Sequence, residues 1–261
     1  MLAADARHWW YRGRRRIMRA QLERLELRPD ARLLDAGCGS GEMLDELGRF
    51  GRAMGIDIDR GSVELAHERG RDVRLASLFE LPYPDGWFDL VACLDVLEHL
   101  DNDRAALREL LRVTAPGAVL LVSVPAYQSL WSAHDEANLH RRRYRASGLK
   151  EVIGAAGWIP QRHTYFNSLL LPPAAAVRLA ERRRRRPRPE GVSDLHLTPP
   201  LLDPVLELPM RLEAALIRRG GAMPAGLSLL AMARRPARTV MLHRRAGAPV
   251  ARGRASASVS A

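Results

Sequence analysis

The chain has 261 residues, 47% hydrophobic and 27% charged, with two cysteines and a formal net charge of +11. This is ordinary globular usage and excludes collagen-like, wholly disordered and disulfide-framework proteins. The charge is uneven: residues 31–100 carry a net −7 and residues 167–261 a net +11, and Lys150 is the only lysine among 41 basic residues. An arginine excess of this kind suits RNA, anionic lipid or plain solvent, so charge alone selects no partner. No apolar run is long enough to span a bilayer; the best, residues 169–180, contains Pro172, Pro173 and Arg178. With no basic-then-apolar leader either, the expected location is the cytoplasm.

In chain order, residues 14–27 read as an amphipathic helix carrying Ile17, Leu22 and Leu25, stopped near Pro29. A short buried strand follows at 31–36, then a glycine-rich turn and a helix over 42–50. A second strand covers 53–57, a helix 61–69, a third strand 73–76 and a fourth 88–93. Residues 102–113 form a helix with Leu107, Leu110 and Leu111 on its apolar face. A turn at 114–117 leads to a fifth strand at 118–124. Strands and helices alternate with crossovers long enough for parallel pairing, which predicts a doubly wound α/β sheet.

Beyond 125 the pattern loosens into a His- and Arg-rich loop to residue 144, then a helix at 147–156 and a strand at 158–166. About sixty residues separate that strand from the next, at 226–233, a length that points to a functional insertion. The predicted organisation is an N-terminal helical cap at 1–30, an α/β core at 31–166 and a helical, Arg-rich insertion at 167–225. Residues 226–235 add the last strand, and the tail at 236–261 reads as disordered. The insertion holds the arginine block 182–186 and a second amphipathic helix near 201–218.

The first strand ends in Asp35-Ala-Gly37-Cys38-Gly39-Ser-Gly41-Glu42. Glycines between a buried strand and a helix permit a sharp turn and close approach of a ligand to the backbone. The G-x-G-x-x-G spacing of a dinucleotide site is broken by Glu42, and the carboxylate of Asp35 suits a cationic amino group better than a pyrophosphate. Asp57, at the end of the second strand, is placed to accept hydrogen bonds from ribose hydroxyls. A nucleoside bearing an amino-acid chain satisfies both acids, and S-adenosylmethionine is such a molecule.

These blocks, with Gly55-Ile-Asp-Ile58, Leu81-Pro-Tyr-Pro-Asp-Gly-Trp-Phe-Asp-Leu-Val91, Asp95-Val-Leu-Glu-His-Leu100 and Ala115-Pro-Gly117, run in order over residues 31–125. Together they resemble the class I S-adenosylmethionine-dependent methyltransferases, close to the type 11 group that includes quinone-biosynthesis enzymes. The resemblance implies a mostly parallel, seven-stranded Rossmann-like sheet. It places Asp35, Gly37 and Gly39 at the methionine part of the cofactor and Asp57 at the ribose, with Cys38 and Gly41 also in the cofactor-binding loop. Ile58 and Leu78 then border adenine, with Leu94 at the end of strand four. Ser77 stands where the family often has the Asp that meets the adenine amine. Cys38 and Cys93 otherwise read as small packing residues. Trp9, Trp10 and Tyr11 read as a cap against the core, or as a lid whose ring faces a sulfonium.

Acceptor-side candidates are His99, His140 and Tyr144, with Arg143 as a charge partner for the tyrosine. A histidine titrates near neutrality and serves as a general base. Quinone O-methyltransferases of the family carry Glu-x-x-Glu-His where this chain has Asp95-x-x-Glu98-His99, so the resemblance permits a metal on Asp95, Glu98 and His99. The favoured expectation is no metal, with His99 capping or packing. The arginine block 182–186 lacks the interleaved aromatics of single-strand RNA binding. Beside an apolar, proline-broken segment it suits peripheral membrane contact through 169–188 at the inner membrane face. The expected function is methyl transfer to a small or lipid-like acceptor, at oxygen. The alternatives are an RNA-modifying methyltransferase and a cofactor-binding protein without turnover.

Overall fold

A computed structural model describes residues 8–184 and 203–237. Its centre is a seven-stranded sheet in the order β3-β2-β1-β4-β5-β7-β6. The strands are β1 (Arg32–Ala36), β2 (Arg52–Asp57), β3 (Val73–Leu75), β4 (Phe88–Leu94), β5 (Thr114–Pro125), β6 (Ile159–Phe166) and β7 (Ser228–Arg234). The first five pair in parallel, and β7 runs antiparallel between β5 and β6. The doubly wound, mostly parallel sheet read from the sequence is therefore the sheet observed.

Successive strand residues face opposite sides, which divides the core in two. Leu34, Val91, Leu120 and Val122 point to one side, under Leu107 and Leu110 of helix α4 (Asp103–Val113) and Leu149 and Ile153 of α6 (Ala146–Ala155). Leu33, Leu90 and Leu121 point to the other, under Ile17, Met18 and Leu22 of α1 (Trp9–Leu22) and Met210 and Ile217 of α8 (Asp203–Arg218). The remaining helices are α2 (Leu44–Leu47), α3 (Arg60–Glu68), α5 (Ala133–Ala137) and α7 (Leu171–Arg184).

Three boundaries differ from the sequence reading. Helix α1 starts at Trp9 rather than residue 14, because His8 accepts from Trp10 N and Trp9 is itself buried in the core. It stops at Leu22, short of 27. The helix expected over 42–50 shrinks to the single turn α2: Gly41 has φ +81°, and the chain turns again at Gly48. Residues 114–117, expected as a turn, begin β5, and the ladder absorbs them through a register shift between Phe88 and Leu90.

The cap and the insertion form one layer. Gly13 of α1 lies under Met210 of α8 so closely that an added Cβ would sit 2.1 Å from its sulfur. Beside it, the buried Glu207 of α8 accepts from Arg12 at 2.9 Å and Arg16 at 2.8 Å. Residues 185–202 and 238–261 lie outside the described residues. So do the end of the arginine block, part of the proposed 169–188 contact and most of the tail expected to be disordered.

Candidate cofactor and active site

The glycine loop is fastened to the neighbouring strand. Gly37 N and Cys38 N both donate to Ile56 O, at 2.8 and 3.0 Å, and Gly39 N donates to the Asp57 carboxylate at 2.7 Å. The other Asp57 oxygen accepts from Asp59 N at 2.9 Å. Gly37 has φ +80°, and a Cβ there would lie 2.5 Å from Val96, just past β4. Gly39, at φ +55°, has open space where its Cβ would be. The loop thus bends tightly at one glycine and leaves a gap at the next, the shape of a cradle. Gly37→Ala adds backbone strain and a clash together. It is expected to cost about 1–3 kcal/mol of stability and at least about tenfold in cofactor affinity, read by thermal melting and calorimetry.

Asp35 is 2% exposed. Burial pushes its carboxyl up to about 7, with Asp57 adding to the rise and the Arg14 guanidinium opposing it. A ligand ammonium would add to the partial counter-charge from Arg14, which burial outweighs, so the donor set fits the amino-acid end of S-adenosylmethionine. Ile58 is 74% exposed, free to cover a base, whereas Leu78 is buried. The Ser77 hydroxyl accepts from Phe79 N at 3.2 Å. Phe79, half exposed beside it, is a further cover for a base that sequence reasoning missed. Leu94 is buried, and its carbonyl accepts from Arg14 at 3.0 Å. The Cys38 sulfur fills the space over Gly55, where a Cβ would come within 2.5 Å. Burial raises the Cys38 thiol well above its ordinary range, which keeps it protonated. These groups sit at or just past the carboxyl ends of β1, β2, β3 and β4, on the side of the sheet where strand order reverses between β1 and β4.

A second group adjoins the first. Asp95 adopts φ +57° at the end of β4, accepts from Ser123 at 3.0 Å and pairs with Arg14 at 2.8 Å. That left-handed residue breaks any helical repeat, so Asp95 does not share a face with Glu98 and His99, which lie on a 3₁₀ turn (Leu97–His99). His140 takes its place. Glu98, His99 and His140 each offer a ligand atom within 4.8 Å of the others, and the two rings meet edge to face at 4.7 Å. Both Glu98 carboxyl oxygens are buried without a hydrogen-bond partner. Burial first, then Asp95, pushes this acid well above its ordinary range. His99 is lowered by burial and by His140 beside it. This trio, with His140 in place of the Asp95 that the resemblance permitted, is where a divalent cation would find ligands.

His140 is positioned by Asp135, which is completely buried. Asp135 sits 2.9 Å from His140 Nδ1 and accepts from Arg143 Nε at 2.6 Å and Nη2 at 2.9 Å. A carboxylate at Nδ1 assigns the proton there and leaves Nε2 as the basic atom. Asp135 escaped the sequence reading, although its capping box with Ser132 was visible as Ser-x-x-Asp. Arg14 escaped too, as one of a run of arginines with no distinguishing spacing.

Tyr144 is corrected: it does not face an acceptor. Its hydroxyl donates to Asp103 at 2.8 Å, and burial and that carboxylate raise it well above the ordinary phenol range. Arg143 serves Asp135 instead of the tyrosine. The aromatic lid is corrected in part. Trp9 faces the core, while Trp10 carries the Arg14 guanidinium over its ring at 5.6 Å.

A Rossmann-like sheet with a glycine cradle, one acid under the loop and a second at the end of the next strand defines the class I methyltransferase fold. Comparison with known proteins agrees: residues 34–122 match the methyltransferase domain family Methyltransf_11. That segment carries the match to a methyltransferase domain. A Mycolicibacterium smegmatis protein named as a probable S-adenosylmethionine-dependent methyltransferase is 36% identical over 135 residues, 48% of this chain and 51% of its own length. The 27-O-demethylrifamycin SV methyltransferase of Amycolatopsis mediterranei is 35% identical over 49% of this chain and 51% of its own. The chain thus spans about half the length of these relatives. Among solved structures, the [4+2]-cyclase SpnF superposes with a TM-score of 0.57 at 24% identity, over 87% of this chain and 82% of its own, a likeness of fold.

Proposed function

We propose that this protein transfers a methyl group from S-adenosylmethionine to a hydroxyl of a small or lipid-like acceptor. The observation that carries the oxygen assignment is His140, whose Nδ1 is held by buried Asp135 and whose ring meets His99 edge to face beside Glu98. Bound S-adenosylmethionine supplies an electrophilic methyl on a sulfonium. Asp35 holds its ammonium, the Gly37–Gly41 loop leaves room for its backbone, and Asp57 accepts from its ribose. On the acceptor side, His140 Nε2 takes the hydroxyl proton as the oxygen pair forms the new C–O bond. The C–S bond breaks with its electrons left on sulfur, and the imidazolium is stabilised by Asp135. Placement supplies most of the acceleration and the base the remainder.

The rifamycin relative, whose name states an O-demethylated substrate, supports this reading. A second reading, chemistry other than methyl transfer on the same fold, is kept open by the superposed structure named as a [4+2]-cyclase.

Calorimetry with S-adenosylmethionine, S-adenosylhomocysteine and NADH is the test, followed by a labelled-methyl screen over phenols, sugars, amines and RNA. Saturable binding of the two sulfur nucleosides alone is expected, with label appearing on a hydroxylated acceptor. His140→Ala should then reduce kcat about 10²–10⁴-fold with cofactor affinity unchanged. Failure of both sulfur nucleosides to bind would sink the proposal, and label on amine, carbon or RNA would overturn the oxygen assignment.

A further inference from the structure

Helix α8 is apolar on both sides. Met210 and Ile217 pack into the core, while Val205, Leu208, Leu212 and Leu216 form a stripe on the opposite side, 66%, 53%, 60% and 42% exposed. Their spacing of three, four and four residues keeps all four on one line along the helix. The charges sort as sharply. Both glutamates of the helix point inward: Glu207 is held by Arg12, Arg16 and Arg211, and Glu213 accepts from Asn167 N and Ser168 N. Arg211, Arg218 and Arg219 are exposed. From Val205 to Arg219 the helix presents aliphatic residues and arginines to solvent and no exposed acid of its own, while Arg211 pairs with Glu207 at 3.1 Å and Arg218 with the exposed Glu23 of the neighbouring segment at 3.7 Å.

We propose that this face of α8 docks in the plane of an anionic lipid surface. Val205, Leu208, Leu212 and Leu216 insert below the headgroups, and the arginines reach lipid phosphates. A stripe about 16 Å long suits a helix lying on a bilayer and falls short of what spanning one requires. Charge complementarity selects the partner. A second copy of this +11 chain would bring arginine against arginine, whereas an anionic leaflet offers the opposite sign. A nucleic acid would match the arginines but leave the aliphatic stripe in water, since the stripe has no aromatic ring for base stacking. The assignment does not rest on methyl transfer.

The test is co-sedimentation of the full chain with vesicles of phosphatidylcholine alone and of phosphatidylcholine with about one-third phosphatidylglycerol, near 0.1 M salt. Binding is expected to the mixed vesicles and at least about tenfold more weakly to the neutral ones. The double substitution Leu208→Glu/Leu212→Glu, at two exposed positions, should abolish vesicle binding with the melting temperature and circular dichroism unchanged. Arg219→Gln should lower affinity for the mixed vesicles alone. Absence of wild-type binding, or equal binding by the double variant, overturns the proposal. So does an oligomer that the double variant dissolves, which would assign the face to a second copy, or RNA affinity lost in that variant.

Discussion

Asp35→Asn should melt at a higher temperature than the parent protein and bind S-adenosylmethionine about ten- to a hundredfold more weakly. The two effects have one origin. In the folded apo protein burial raises the Asp35 carboxyl from 3.8 to about 7, against the pull of Arg14. The folded state therefore holds a proton that the unfolded state has released. The stability linked to Asp35 is complete below about pH 4 and is lost as pH rises through 7. Asparagine keeps the shape and never ionises, so its advantage is absent near pH 4 and full above 7. The shift corresponds to about 4 kcal/mol as an upper bound. The same ionised acid is what a cofactor ammonium needs. Parent affinity should accordingly fall as pH drops below 7, with a proton released on binding, while the weak binding of the variant stays flat over that range. Melting at pH 5 and 8, with calorimetry in two buffers of different ionisation enthalpy, checks both limbs. A variant that is less stable at pH 8, or that binds like the parent, would remove Asp35 from the ammonium site.

The cofactor half of the site was legible in the sequence because its logic is local. A strand, three glycines and an acid follow one another in twelve residues, and Asp57 repeats the arrangement one strand later. Parallel pairing of β1 with β2 then brings the two together, Ala36 opposite Ile56. The acceptor half was legible only in composition. His99 and His140 stand 41 positions apart in the chain, and what joins them is the Arg141 N to Glu98 O hydrogen bond at 2.7 Å, a loop contact with no periodicity to announce it. Asp95 misled because Asp-x-x-Glu-His has helical spacing, and a single left-handed residue cancels that spacing. Tyr144 misled because sequence proximity to His140 says nothing about direction. One residue past the ion pair of Arg143, its ring turns inward toward Asp103. Arg14 could be read only after α1 had been placed across the sheet end.

Asp135→Ala should be the most destabilising single change near the acceptor side, at about 3–5 kcal/mol. The substitution leaves Arg143, itself buried, charged and without its carboxylate, and the partly buried backbone N–H of Ser132 loses its acceptor. Burial alone would raise Asp135, but the hydrogen bonds from His140 and Arg143 outweigh it and hold the carboxyl well below the ordinary range. Its stabilisation is therefore present above about pH 4 and is lost as pH falls further, so parent and variant should converge in acid and separate at neutrality. Urea titrations at pH 3 and pH 7 measure that difference. Arg143→Met in the alanine background should recover part of the loss, because it removes the orphaned charge and leaves an apolar side chain of similar length. Asp135→Asn separates support of the fold from support of chemistry. It retains an oxygen for Arg143 but offers His140 no charge, so stability should fall less than in the alanine variant. The imidazole should nonetheless lose its fixed tautomer, visible as exchange between Nδ1 and Nε2 protonation in ¹⁵N spectra. If His140 keeps a single tautomer in that variant, the histidine is oriented by its contact with His99, and Asp135 serves only the ion pair.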